Sequence, residues 1–191
     1  MNHAYIFLAE GFEEIEALAT LDVLRRAGIY AKTVSISDSF QVCGSHGIQV
    51  EADTVFNLFC VEEEELDESD ILIFPGGMPG SKNLAEDGEL ISVMQEHAAA
   101  GGLVAAICAA PGLVLSQLGK DYLDGRIFTC YDGCEDGMLA QGAILKKEPA
   151  VCDGRMITGR GPAFALDFAL EIVKAMRGEE IWKKVKSGLL L

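Results

Sequence analysis

The chain has 191 residues, with 15 Lys plus Arg against 30 Asp plus Glu, giving a formal net charge of −15. That length suits a single domain with a real core, and a composition of 50% apolar and 24% charged residues excludes a disordered chain. So acidic a chain is repelled by phosphate backbones and anionic lipid heads, which argues against nucleic-acid and membrane partners.

No apolar run approaches the ~20 residues of a membrane-spanning helix. The first residues carry no basic leader, and their apolar segment meets Glu10 too soon for a signal peptide, so a cytoplasmic location is expected. Residues 5–9 read as a strand, Glu10-Gly11-Phe12 as a turn, and 13–27 as a helix stopped by Gly28. A second strand covers 30–37, and 41–50, broken by Gly44 and Gly47, reads as a hairpin. Seven acids crowd residues 62–70, a solvated loop or helix start. A third strand at 71–74 ends in Pro75-Gly76-Gly77-Met78-Pro79-Gly80. A helix over 90–100 stops at Gly101-Gly102, a fourth strand follows at 103–107, and a helix runs from Cys108 to about 118. Residues 126–129, 150–152 and 156–158 are strand-like, the last two joined at Asp153-Gly154. Pro162 opens a helix ending near Gly178, and a last helix over 179–186 carries the pairs Glu179–Lys183 and Glu180–Lys184. Strands alternating with helices predict one domain over 1–191, a doubly wound, mostly parallel α/β sheet with helices on both faces.

In such sheets ligands bind beyond the C-terminal strand ends. There, Ala105-Ala106-Ile107-Cys108-Ala109-Ala110-Pro111 places a thiol between a strand and a helix, with small neighbours that permit a nucleophile elbow. A helix start would also stabilise its thiolate, while a buried structural cysteine is the competing reading. Gly76-Gly77 lets backbone approach a ligand and offers N–H groups to an oxyanion; an ordinary turn would use the same residues. The first helix is apolar around most of its circumference, so at least one of Glu14, Glu16, Thr20 and Asp22 should be buried. A buried carboxyl near a thiol has a raised pKa and can move protons. Arg160, before Gly161-Pro162, reads as an anion holder at a helix start or as a plain surface arginine.

The six cysteines, Cys43, Cys60, Cys108, Cys130, Cys134 and Cys152, are too scattered for a disulfide framework and should be thiols. Cys130-x-x-x-Cys134 is not a paired zinc knuckle, and no metal site or cofactor is expected. Of His3, His46 and His97, none adjoins Cys108, so no ordinary Cys-His protease pair is visible. Phosphate-binding glycine loops are likewise missing from the sequence.

Together, Phe7-Leu8-Ala9-Glu10-Gly11-Phe12-Glu13-Glu14-Ile15-Glu16, Asp22-Val23-Leu24-Arg25-Arg26-Ala27-Gly28, Pro75-Gly76-Gly77, the Cys108 segment and Arg160-Gly161-Pro162 resemble the ThiJ/PfpI superfamily, in its DJ-one branch. The resemblance implies a flavodoxin-like homodimer with Cys108 reactive and Glu16 as its protonated partner. Gly77 and Ala109 would offer N–H groups to the oxyanion. It also implies cofactor-free glyoxalase activity on methylglyoxal, deglycase-type activity on glycation adducts, and chaperone or oxidative-stress roles. Cys130-Tyr131-Asp132 stands where many relatives carry histidine, and His46 where some carry arginine. Ala109 follows the cysteine where the superfamily's peptidases place histidine, so a peptidase is not implied.

Two functions follow. Either Cys108 attacks small 2-oxoaldehydes, with Gly76, His46, Arg160 and Cys130 around the pocket, or it senses oxidants in a protein that turns over little, including a holdase. Cys130 is read as a filler in the histidine's place or as the thiol that resolves an oxidised Cys108. Finally, the first helix shows more apolar surface than one sheet contact requires, which suggests a two-fold partner.

Overall fold

The structure, a computed structural model, describes residues 3–62 and 66–191. Its first part runs β1 (His3–Leu8), α1 (Glu14–Arg26), β2 (Tyr30–Ser35), the hairpin strands β3 (Gln41–Cys43) and β4 (Gln49–Glu51), β5 (Thr54–Val55) and α2 (Phe56–Glu62). Next come β6 (Ile71–Phe74), α3 (Gly80–Glu86), α4 (Gly88–Ala99), β7 (Leu103–Ile107), α5 (Ala110–Leu113) and α6 (Lys120–Leu123). The chain ends with β8 (Ile127–Phe128), α7 (Asp136–Ala140), β9 (Ile144–Leu145), β10 (Ala150–Asp153), β11 (Met156–Gly159) and α8 (Ala165–Gly188).

Among the described residues, seven strands form one sheet in the order β10-β11-β7-β6-β1-β2-β5. Every pair is parallel except β10 with β11. This is the doubly wound fold that the alternation of elements predicts, and it is flavodoxin-like as the resemblance implies. Central β6 and β7 are buried at every position because helices cover both faces, and their sequences are accordingly unbroken apolar runs. On one face Ala4, Ile6 and Leu8 pack with Val23 and Leu24 of α1 and with Phe168 and Ile172 of α8. On the other, Tyr5 and Phe7 meet Phe56 and Phe59 of α2 and Leu90 and Met94 of α4, with Phe7 stacked on Phe74 at 5.4 Å. Each of the larger aliphatic and phenyl side chains among them, taken from water, contributes about 1.5–3 kcal/mol.

The differences from the sequence reading have local causes. The helix expected from Cys108 to about 118 is instead α5 followed by a 3₁₀ turn over Leu115–Leu118. There Ser116 returns its hydroxyl to the Gly112 carbonyl at 2.8 Å, a bond that bends helices. The strand-like 126–129 segment shortens to β8, which pairs with β9 outside the main sheet. Side chains take its amides: Asp153 accepts from Ile127 N at 2.7 Å and Thr158 Oγ1 from Thr129 N at 2.9 Å. The second strand stops at Ser35, whose hydroxyl accepts from Ser37 N at 3.3 Å in a local turn. Within α8, Gly178 leaves the helical region at φ 78°, which separates the two helices anticipated there. Of the acidic stretch, residues 63–65 lie outside the described residues, and 67–70 form a turn closed by Asp70 N on Asp67 O at 2.9 Å.

Candidate active site

Cys108 follows β7 with φ 66°, a left-handed conformation that costs a non-glycine residue energy. Two backbone hydrogen bonds of 2.9 Å hold it: its N–H donates to Gly159 O, and its carbonyl accepts from Tyr131 N. The strained turn sets the half-buried thiol above the sheet's C-terminal edge, as a nucleophile elbow does.

Glu16 reaches the same place from α1. Its neighbour Glu13 caps the helix, Oε2 accepting from Glu16 N at 2.8 Å. Glu16 is 0% exposed, and its Oε2 accepts from Gly76 N at 2.7 Å. Its Oε1 is buried with no hydrogen-bond partner of good geometry among the described residues, the place a carboxyl proton would occupy. Glu14 and Thr20 are buried beside it, whereas Asp22 is exposed. Gly76 lies between acid and thiol. A Cβ there would stand 2.5 Å from Glu16 Oε2, 2.5 Å from Cys108 Cβ and 3.0 Å from the sulfur, so only glycine fits. Gly77, at φ 93°, is pressed against Glu13 N and Gly11 O, where a Cβ would lie 2.4 and 2.5 Å away.

Burial, reinforced by the Glu13 charge, pushes the Glu16 carboxyl up to about 7 against the pull of the Gly76 N–H. The low-pKa thiol expected from a helix start is not what the structure provides. Burial first, then the Glu16 carboxylate, raise the Cys108 pKa, and only the N–H groups of Ala109 and Gly77 lower it. The two groups therefore titrate as a pair: once Glu16 holds the proton, its repulsion of the thiolate disappears. The N–H groups of Ala109 and Gly77 face the sulfur, and charge built beside it would feel the same donors.

Around this centre the other candidates separate. Arg160 sits over Phe164 at 5.9 Å and pairs with Asp132 at 3.2 Å, while Lys147 also holds Asp132 at 3.3 Å. Asp132, Arg160 and Phe164, with Tyr131, Gly161 and Pro162, line an open cavity of about 580 Å³, tied to the Cys108 turn through the Tyr131 N bond to the Cys108 carbonyl. Sequence reasoning missed Tyr131 and Asp132 as lining residues because contacts distant in sequence bring them there, Tyr131 N on the Cys108 carbonyl and Asp132 on Arg160 and Lys147. Cys130 is buried in the cluster on the sheet face opposite the one that Cys108 packs against. Burial and the Glu135 charge push its thiol up to about 12. Cys130 follows β8, which lies outside the sheet whose β7 leads into Cys108, so the two thiols do not share a sheet edge. His46 is held at Glu14, its Nδ1 2.8 Å from Oε2.

The DJ-1/PfpI family model matches residues 2–175. The chain belongs to this family. It is 34% identical over 188 residues to "Protein dj-1beta" of Drosophila melanogaster, covering 98% of this chain and 96% of the relative. It is also 32% identical over 171 residues to "Glutathione-independent glyoxalase DJR-1.2" of Caenorhabditis elegans, covering 90% and 86%. Among solved structures, "Toxoplasma gondii DJ-1, oxidized" superposes with a TM-score of 0.89 at 31% identity, covering 100% of this chain and 98% of that one. Among the described residues, no helix is long and apolar enough to cross a membrane.

Proposed function

We propose that this family member is a cofactor-independent glyoxalase acting on methylglyoxal-like 2-oxoaldehydes, with deglycase-type action on their adducts. The observation that carries the reading is a strained cysteine against a buried carboxyl with a raised pKa, joined through Gly76. The Cys108 sulfur adds to the aldehyde carbon, and the carbonyl oxygen becomes the hydroxyl of a hemithioacetal. Gly77 and Ala109 N–H groups steady the oxyanion, and Glu16 returns the proton. Glu16 then moves a proton from C1 to C2, leaving a 2-hydroxyacyl thioester that water cleaves to the hydroxy acid and free thiol. The sum is one aldehyde plus one water giving lactic acid, with no oxidant or reductant. A coupled lactate assay on the purified protein at neutral pH tests it, and no lactate above the uncatalysed rate overturns it.

Oxidant sensing by the same thiol is the second reading, favoured by a carboxyl placed to hydrogen-bond an oxidised sulfur. After mild peroxide, peptide mass spectrometry is expected to find Cys108 oxidised well ahead of Cys60 and Cys152. Equal oxidation of the three removes this reading. Because Cys130 faces the other cluster, Cys130→Ser is expected to leave the over-oxidation rate of Cys108 unchanged. A faster rate in that variant would restore the resolving role.

A homodimer is part of the proposal. Ile15 on α1 is 58% exposed and Ile48 in the β3–β4 turn 53%, apolar side chains left without cover in a single chain. Sedimentation velocity at micromolar concentration should give twice the monomer mass, and a monomer there rejects the dimer.

A further inference from the structure

Glu13, Glu14 and His46 place three donor atoms within 4.8 Å of one another where the β3–β4 turn lies on the start of α1. The turn is anchored by Ser45 N on Phe12 O at 2.8 Å, and Gly44 packs so closely that a Cβ there would stand 2.3 Å from Glu14 Oε1.

Each carboxylate is tethered by one oxygen to a backbone amide and turns the other toward His46. Glu14 Oε1 accepts from His46 N at 2.7 Å, so Oε2 is turned to His46 Nδ1 at 2.8 Å. Glu13 Oε2 accepts from Glu16 N at 2.8 Å. Its Oε1 accepts no hydrogen bond among the described residues and lies 4.0 Å from the same Nδ1, although Glu13 is only 6% exposed. Two carboxylates of buried glutamates therefore converge on an imidazole, and one of their oxygens has no hydrogen-bond partner among the described residues. The backbone bonds fix the ligand orientations as outer-shell contacts do in metal sites. Ser45 Oγ, 3.4 Å from Glu14 Oε2 and 3.1 Å from His46 Nδ1, stands at the rim as a further donor.

We propose that Glu13 Oε1, Glu14 Oε2 and His46 Nδ1 form a site for a borderline divalent transition ion of the Zn²⁺ or Co²⁺ class. Donors on one tetrahedral ion stand about 3.3 Å apart, given metal–ligand bonds near 2.0–2.2 Å. The observed 2.8 and 4.0 Å bracket that spacing, so small side-chain shifts close the site. Mixed imidazole and carboxylate donors suit such ions rather than Ca²⁺ or Cu⁺. Two carboxylates and a neutral imidazole balance the dication. Against this, the positive end of α1, roughly half an elementary charge, opposes the cation and is the smaller effect. His46, 69% exposed, leaves the remaining coordination positions to water. Bound, the ion would clamp the β3–β4 turn to α1, a structural role outside the Cys108 chemistry.

Titration with Co²⁺, followed by absorption, separates this site from the thiols. Wild type should bind one equivalent with weak ligand-field bands and no thiolate charge-transfer band. His46→Ala, a change at an exposed residue, and Glu13→Gln, which keeps an oxygen for the Glu16 amide, should each weaken binding at least tenfold. Zn²⁺ should displace the Co²⁺ and raise the Tm of wild type but not of His46→Ala. A thiolate band, or an affinity that His46→Ala changes less than tenfold, overturns the assignment.

Discussion

Cys108→Ser is expected to lower lactate formation from methylglyoxal by on the order of a thousandfold or more, with the fold intact. A serine hydroxyl in this pocket has no histidine to accept its proton. Among the described residues, the titratable group against position 108 is Glu16, already raised to about 7 by burial. A thiol can ionise once the carboxyl takes up the proton, whereas an alcohol cannot at any pH the fold tolerates. Stability should change little, below about 1 kcal/mol, because oxygen for sulfur leaves the backbone at φ 66° and its two hydrogen bonds in place. Urea unfolding beside the lactate assay makes the comparison. If the variant retains a tenth of the wild-type rate, Cys108 is not the nucleophile. If both activity and stability collapse, the residue serves the fold instead.

The elbow at Cys108 was legible because its cause is local. A buried apolar strand, a thiol and small alanines occupy consecutive positions, and Gly159 and Tyr131 merely complete the hydrogen bonding. Glu16 was half legible: three of the four polar candidates on α1 are buried, yet only Glu16 meets the Gly76 amide. That choice depends on how far α1 turns against β6, which no periodicity encodes. The thiol's ionisation was misjudged because a helix start was weighed without the burial and the opposing carboxylate that tertiary packing supplies. Likewise β8 looks like any other short strand, and what removes it from the main sheet is Asp153 and Thr158, more than two dozen residues away. His46 and Glu13 carry no common pattern in sequence. Only the fold of the β3–β4 turn over α1 brings them together.

Glu16 also gives the chain a stability that depends on pH. Its folded pKa of about 7 exceeds the ordinary value of 4.5, so between those limits the folded state binds more protons than the unfolded chain. Stability from this group is complete below about 4.5 and is lost as pH rises through about 7, the loss being on the order of 3 kcal/mol. Other groups act in adjoining windows. Glu14, held near 2 by the His46 hydrogen bonds despite its burial, loses its contribution only as pH falls below 4.5. His97, kept neutral by burial, costs stability as pH falls through 6.5, and His46, raised by Glu14, opposes that trend. The measurement is therefore a difference. Urea unfolding of wild type and Glu16→Gln from pH 5 to pH 8 cancels the other groups, since the amide keeps an oxygen for Gly76 N and cannot ionise. Relative to wild type, Glu16→Gln should gain about 2.5 kcal/mol across that range, most of it between pH 5 and 7. Parallel curves for the two proteins would mean that the carboxyl is ionised throughout. Glu16 could then neither lend the proton that frees the Cys108 thiolate nor carry one between the carbons of the substrate.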